Sequence, residues 1–164
     1  MNTKDFQKLR INAQNKEKET RAFFNKLKSK KPKNLDNIVH QLHDEFFENF
    51  DCLSCGNCCR SLGPRILQRD IERLSKHLKM KNSEFIDKYL RIDEDKDYVF
   101  KSMPCPFLDS ENYCLVYEYR PKACQKYPHT DQRKFHLILP QTLKNTYTCP
   151  GVFEIVKQLK AIIK

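Results

Sequence analysis

The chain is 164 residues long and carries 31 basic against 21 acidic side chains, a net charge of +10 at pH 7. This length suits one domain with an extension, and it is enough to bury a core without covalent staples. No run approaches the roughly 20 apolar residues of a membrane span, and the charge is spread, +4 over residues 1–50 and +6 over the rest, so there is no basic tail.

Residues 1–33 are polar and rich in Lys, with no Gly and no Pro before Pro32. Phe6, Leu9 and Ala13, then Phe23, Phe24 and Leu27, recur at helical spacing, which predicts a long, basic, amphipathic N-terminal helix. Pro32 drives Lys31 out of the helical region and ends it. The run Lys28–Lys33 reads as a solvated linker, with nucleic acid or another anionic surface as the alternative. Residues 34–164 then read as one cysteine-bearing domain. Asn34 suits a helix cap. Leu35, Ile38, Val39, Leu42, Phe46, Phe47 and Phe50 form a core-facing stripe behind it. His40 and His43 accompany that stripe and read as rim histidines, not ligands. Gly63-Pro64 marks a turn, and Ile66, Leu67, Ile71, Leu74 and Leu78 predict the next helix. Asn82 or Ser83 caps a shorter helix through Leu90. Asp93–Asp97 is a charged turn without the glycine or the ordered spacing of a calcium loop. Tyr98–Lys101 and Lys134–Leu139 read as short strands. Pro150 suits the first position of a last helix, with Val152, Ile155, Val156, Leu159, Ile162 and Ile163 inward. The fold class is mainly α: a small helical domain with one or two short strands, a long N-terminal helix, and irregular, metal-held loops at 52–64 and 104–130.

Those loops carry the chemistry. Cys52, Cys55, Cys58 and Cys59 crowd into eight residues, and Cys105, Cys114, Cys124 and Cys149 follow. Thiolate is the soft ligand of zinc, copper(I) and iron–sulfur clusters, and eight thiols make two complete four-ligand sets. Cys-x2-Cys-x2-Cys is the run that holds a [4Fe–4S] cluster in bacterial ferredoxins, completed by a Cys followed by Pro. Cys105-Pro106 and Cys149-Pro150 have that form, which favours iron–sulfur over zinc. The ferredoxin Cys three residues beyond the run is missing, and Cys59 directly follows Cys58 instead. Chelation by this doublet closes a strained ring across a planar peptide, and on a helix the two side chains diverge by about 100°. The doublet therefore points either to two neighbouring centres, one thiol to each, or to one four-Cys site with further thiols. Cys149 is remote from the others in sequence, and His129 could replace it. A disulfide framework is disfavoured: the N-terminus lacks an apolar stretch of signal-peptide length, and the Lys-rich composition suits the cytoplasm, where thiols stay reduced. A nucleophilic cysteine needs a partner base. His129 and His136 are available, but nothing local marks a nucleophile, and no βαβ pattern accompanies the Cys-x2-Cys.

The run Cys-x2-Cys-Gly-x-Cys-Cys-Arg at 52–60, then Cys105-Pro-Phe-Leu and Cys114-Leu-Val-Tyr-Glu-Tyr-Arg-Pro-Lys-Ala-Cys124-Gln-Lys-Tyr-Pro128, resembles the bacterial cysteine-cluster family of zinc- or iron-chelating domains (YkgJ-type). The likeness spans about residues 50–150. Departures are Val116 for Ile, Gln125 for Arg and Tyr127 for Phe, and none removes a thiol. Asp70-Ile-Glu-Arg-Leu-Ser-Lys-His-Leu resembles the family's linking helix. The resemblance implies a metal site more than a reaction, although members are often labelled Fe–S oxidoreductases. Arg60, Arg120 and Lys122 stand beside the thiols, where cations offset an anionic thiolate centre and tune its potential. For Arg120 a salt bridge to Glu118 is an equal alternative. Tyr117 and Tyr119 are expected to pack around the site and exclude water, and Pro121 to pre-set the turn delivering Cys124. Three functional readings follow: electron transfer to a redox partner, a structural zinc module that binds a protein, and a nucleic-acid-associated metal protein.

Overall fold

The apolar stripe of the first thirty residues forms one unbroken helix, α1 (Thr3–Lys30), in the computed structural model of the chain, which describes residues 3–30 and 32–163. The helix break expected at Lys31 lies outside the described residues. The chain folds into two units, Met1–Asp51 with Pro128–Lys164, and Cys52–Tyr127. Among the described residues, no helix is long and apolar enough to cross a membrane.

The first unit is helical. α1 buries Leu9, Ala13, Phe24 and Leu27, and Thr20 completes the same face by turning its hydroxyl onto the Lys16 carbonyl at 2.8 Å. α2 (Leu35–Phe47) buries Leu35, Val39 and Leu42. It packs along α9 (Pro150–Ile162), which buries Val152, Ile155, Val156 and Leu159. Pro150 occupies the first turn of α9 as its missing N–H predicts. Ile162 was expected inward and is instead 54% exposed, at the last position of α9. At the start of α9, a Cβ on Gly151 would lie 2.6 Å from Phe47 and 2.8 Å from Phe46, so two aromatic rings rest on bare backbone. Asn34 precedes α2 without a side-chain capping bond.

Lys134–Leu139 is not a strand. Lys134 takes a left-handed backbone, and the carboxylate of Asp36 accepts from the N–H groups of Lys134 at 2.6 Å and Phe135 at 2.9 Å. A single 3-10 turn (Phe135–Leu137) leads into α8 (Leu139–Asn145). A strand would put Phe135, Leu137 and Leu139 on one face, yet Leu137 points to solvent while Phe135 and Leu139 are buried, and Pro140 starts a helix more readily than it ends a strand.

The second unit is the cysteine-bearing one. After the short helices α3 (Cys52–Cys55) and α4 (Asn57–Ser61) come α5 (Gln68–His77), α6 (Asn82–Tyr89) and an antiparallel hairpin, β1 (Leu90–Ile92) with β2 (Tyr98–Phe100). The helix expected to run through Leu90 stops one residue earlier, and Leu90 pairs with Phe100 as the first strand residue. Asp93 folds the charged turn by accepting from the N–H groups of Asp95 and Asp97, both at 3.0 Å. Ile66, Ile71, Leu74, Phe85, Leu90, Phe100, Phe107 and Val116 form the core of this unit. The rest of the unit is a loop closed by a Leu108–Cys114 bridge, a 3-10 turn (Tyr117–Tyr119) and α7 (Lys122–Lys126).

Candidate metal centre

The Cys52–Cys59 run does not follow one helix. Gly56 adopts φ +58° between α3 and α4, a conformation that only glycine takes without strain, and it re-aims the chain between Cys55 and Cys58. A Cβ there would also lie 2.9 Å from the Arg60 guanidinium and 3.1 Å from Asn112, so the turn is closely covered. Cys55 is buried, Cys58 and Cys59 are half-buried, and Cys52 is exposed. All eight cysteines are thiols.

Backbone bonds bring the distant cysteines to this turn. The N–H of Cys105 donates to the carbonyl of Cys59 at 2.8 Å, and Leu115 N–H donates to Phe107 O at 2.8 Å. The tip of that loop is folded by Asp109, which accepts from the N–H groups of Glu111 at 2.9 Å and Tyr113 at 2.8 Å. Cys105 and Cys114 then pack against the core beside Phe107 and Val116. Cys124 arrives on α7, which is anchored by the buried carboxylate of Asp70. Asp70 caps α5 by accepting from Leu67 N–H at 3.0 Å, accepts from Lys122 N–H at 3.0 Å, and pairs with Arg73 at 2.7 Å. Arg73 in turn donates to the carbonyls of Tyr119 at 3.2 Å and Arg120 at 2.8 Å. Asp70 and Arg73 thus fix the stretch that delivers Cys124.

The thiols of Cys59, Cys105, Cys114 and Cys124 lie within reach of one another's charge. Burial above all, and then the charges of Cys59 and Cys114, push the Cys105 thiol up to about 11. Burial and the charges of Cys59, Cys105 and Cys114 push Cys124 up to about 12. Cys114 is raised by burial and by Cys59. Cys59 goes the other way, lowered to about 7 by the hydrogen bond from Cys58 and by Arg60. Four such sulfurs cannot all ionise side by side unless a cation shares the space. A soft divalent ion or an iron–sulfur cluster supplies that charge, so the donor set fits the metals its chemistry selects. Among the described residues, no three His, Cys, Asp or Glu side chains stand at coordination spacing already. The Cys58 and Cys59 sulfurs are 3.9 Å apart.

The remaining expected site residues fall as follows. Arg60 reaches the Cys55 carbonyl at 3.3 Å and the side chain of Asn112, and its charge favours the thiolates of Cys55 and Cys59. The charge of Arg120 favours those of Cys114 and Cys124. Its guanidinium sits 3.8 Å over the Tyr117 ring and donates to the Tyr117 carbonyl at 2.6 Å. Lys122 meets the site through its backbone, and its side chain is exposed. Tyr117 and Tyr119 do not seal the site: they are 45% and 39% exposed. Cys149 is buried in the first unit at the start of α9. His40 contacts the Gln132 carbonyl at 3.1 Å and His43 the Thr130 hydroxyl at 2.7 Å, both within the first unit. His129 shares a 2.7 Å hydrogen bond with Gln132. Sequence reasoning missed Asp70 and Asn112 as positioning residues. Leu67-x-x-Asp70 has the spacing of a helix cap, which was the available signal for Asp70; Asn112 carries no signal beyond its turn composition.

No solved structure matches the chain. The family model CxxCxxCC, described as a putative zinc- or iron-chelating domain, matches residues 51–150, well over half of the sequence and all eight cysteines. The chain belongs to the CxxCxxCC family.

Proposed function

We propose that this is a cytoplasmic metal protein in which Cys59, Cys105, Cys114 and Cys124 hold one four-thiolate centre, with Cys52, Cys55 and Cys58 as donors to a second. The observation that carries this is the convergence of four thiols, from three separate segments, onto one another's electrostatic field beside the core of the second unit. The centre is iron–sulfur and redox-active in this reading. The Cys-x2-Cys-x2-Cys run supports it, as do Arg60 and Arg120, whose charges favour thiolate at four of the cysteines. Removing such a cation lowers the reduction potential, because it stabilises the more negative reduced state.

One observation favours zinc as a second reading. Two metal–sulfur bonds of about 2.3 Å at a tetrahedral angle span about 3.8 Å, close to the 3.9 Å between the Cys58 and Cys59 sulfurs. That spacing suits two ligands of one ion, despite the strain of adjacent residues. Anaerobic purification followed by metal and acid-labile sulfide analysis separates the two. Iron with sulfide, a brown colour and a reversible couple in redox titration support the first reading. Stoichiometric zinc in a colourless protein without such a couple supports the second. Protein without bound metal, its cysteines joined as disulfides, contradicts both.

A further inference from the structure

The segment that carries Cys114 has a second face. Residues 113–117 alternate, so that Cys114 and Val116 turn to the core while Tyr113, Leu115 and Tyr117 turn to solvent, 53%, 64% and 45% exposed. Tyr119 continues the strip at 39% exposure. Four large apolar side chains in seven residues are too many to dismiss as the scattered exposure normal on a protein surface. Two of the three rings are already held. The Arg120 guanidinium lies 3.8 Å over Tyr117, and His77 of α5 stacks on Tyr119 with centroids 3.9 Å apart and planes 17° from parallel. Arg69, Lys76, Lys122 and Lys126 are exposed on α5 and α7, the elements flanking the strip, against Glu72 and Glu118. The whole chain carries +10.

We infer that this outward strip, Tyr113 to Lys126 with the exposed side of α5, is a binding surface for single-stranded nucleic acid. Exposed flat rings held by a guanidinium and an imidazole offer stacking platforms to unpaired bases, and the surrounding amines meet the phosphates. A duplex hides its base faces and gives the rings nothing to stack on. A purely apolar protein partner makes no use of the cations. The Asp70–Arg73 anchor fixes the carbonyls of Tyr119 and Arg120, so the stacked rings are held in place before any ligand arrives.

The test is fluorescence anisotropy of full-length, metal-loaded protein with labelled oligouridylate and oligothymidylate of roughly 12 nucleotides, with metal content read on the same samples. Binding is expected to weaken as salt rises, with a slope of about 0.7 per neutralised phosphate. Tyr117→Ala and Tyr119→Ala should each weaken it about tenfold or more, as loss of a stacked base predicts. Lys126→Glu, at an exposed side chain, should weaken it and flatten the salt dependence. The inference is overturned if neither oligonucleotide binds at low salt. It is equally overturned if metal-replete tyrosine variants bind like wild type, which would assign binding to diffuse charge. Should a tyrosine variant lose metal or fold, Lys126→Glu decides: unchanged affinity and unchanged slope reject the strip. Concentration-dependent dimerisation abolished by Leu115→Ser, without oligonucleotide binding, would assign the face to a second copy of the chain. Because metal content is measured independently, failure of this surface and failure of the metal reading are distinguishable.

Discussion

Asp70 shows how much one buried side chain can hold. It is 1% exposed, and its two oxygens serve the cap of α5, the guanidinium of Arg73 and the first N–H of α7. Removing one partner of a buried ion pair costs about 3–5 kcal/mol. Arg73 is about a third exposed and regains water, so Asp70→Ala should cost about 3 kcal/mol, the low end of that range. Asp70→Asn keeps one acceptor oxygen but turns an amide NH2 toward a donor that the other oxygen now serves, so it should cost about 2–3 kcal/mol through the unmatched donors. Denaturant titration of metal-loaded protein measures both. Gly56 is the complementary case. An L-residue in the left-handed region costs about 1–2 kcal/mol, and its Cβ would press on Arg60 and Asn112. Gly56→Ala should therefore destabilise by about 2 kcal/mol, with loss of metal when Cys55 and Cys58 are re-aimed. His43 gives a pH dependence. Burial holds its imidazole below the usual value, outweighing the pull of Asp131 and Asp44, while His40 adds to the depression. The unfolded chain therefore takes the proton first as pH falls. The contribution of this residue is intact above about pH 6.5 and lost progressively below it. Melting curves between about pH 7.5 and pH 5 should fall less steeply for His43→Gln than for wild type.

At the scale of elements, the long periodic segments were legible and the short ones were not. The stripes of α1, α2, α5 and α9 are strong enough that burial alone dictates a helix. The exceptions among the short elements are α6 and β2 with its charged turn. β1 was hidden because Leu90 ends one helical pattern and begins a strand in the same residue, and only pairing with Phe100 decides it. The segment 134–139 was misread because the deciding contact, the Asp36 carboxylate on the N–H groups of Lys134 and Phe135, comes from a hundred residues away. In the candidate site, the thiols were readable from spacing, and the residues that position them were not. Asp70 and Asn112 act through single long-range bonds that leave no periodicity in the chain. Packing between elements makes its own prediction. The start of α9 meets Phe46 and Phe47 with no room for a methyl group. Overpacking costs about 1–3 kcal/mol, so Gly151→Ala should destabilise the first unit by about 2–3 kcal/mol. Helical ellipticity of that unit during thermal melting reads this out.

At the scale of the whole molecule, the two kinds of core have different sources of stability. The first unit buries apolar helix faces. The second has an apolar core as well, with Cys105 and Cys114 packed against it, and its cysteine-bearing loops and short helices run at 52–64 and 104–126. A structural thiolate metal contributes about 10–16 kcal/mol, against about 5–15 kcal/mol for a whole domain. Metal removal should therefore release those loops to fast amide exchange, while α2 and α9 keep their protection. The most direct measurement of the account is thiol alkylation, mapped by mass spectrometry, on metal-loaded Cys124→Ser protein. If Cys59, Cys105, Cys114 and Cys124 hold one centre, this variant should lose that centre's metal, and Cys59, Cys105 and Cys114 should become reactive together. Unchanged metal content, with Cys59 and Cys105 as protected as in wild type, would contradict it.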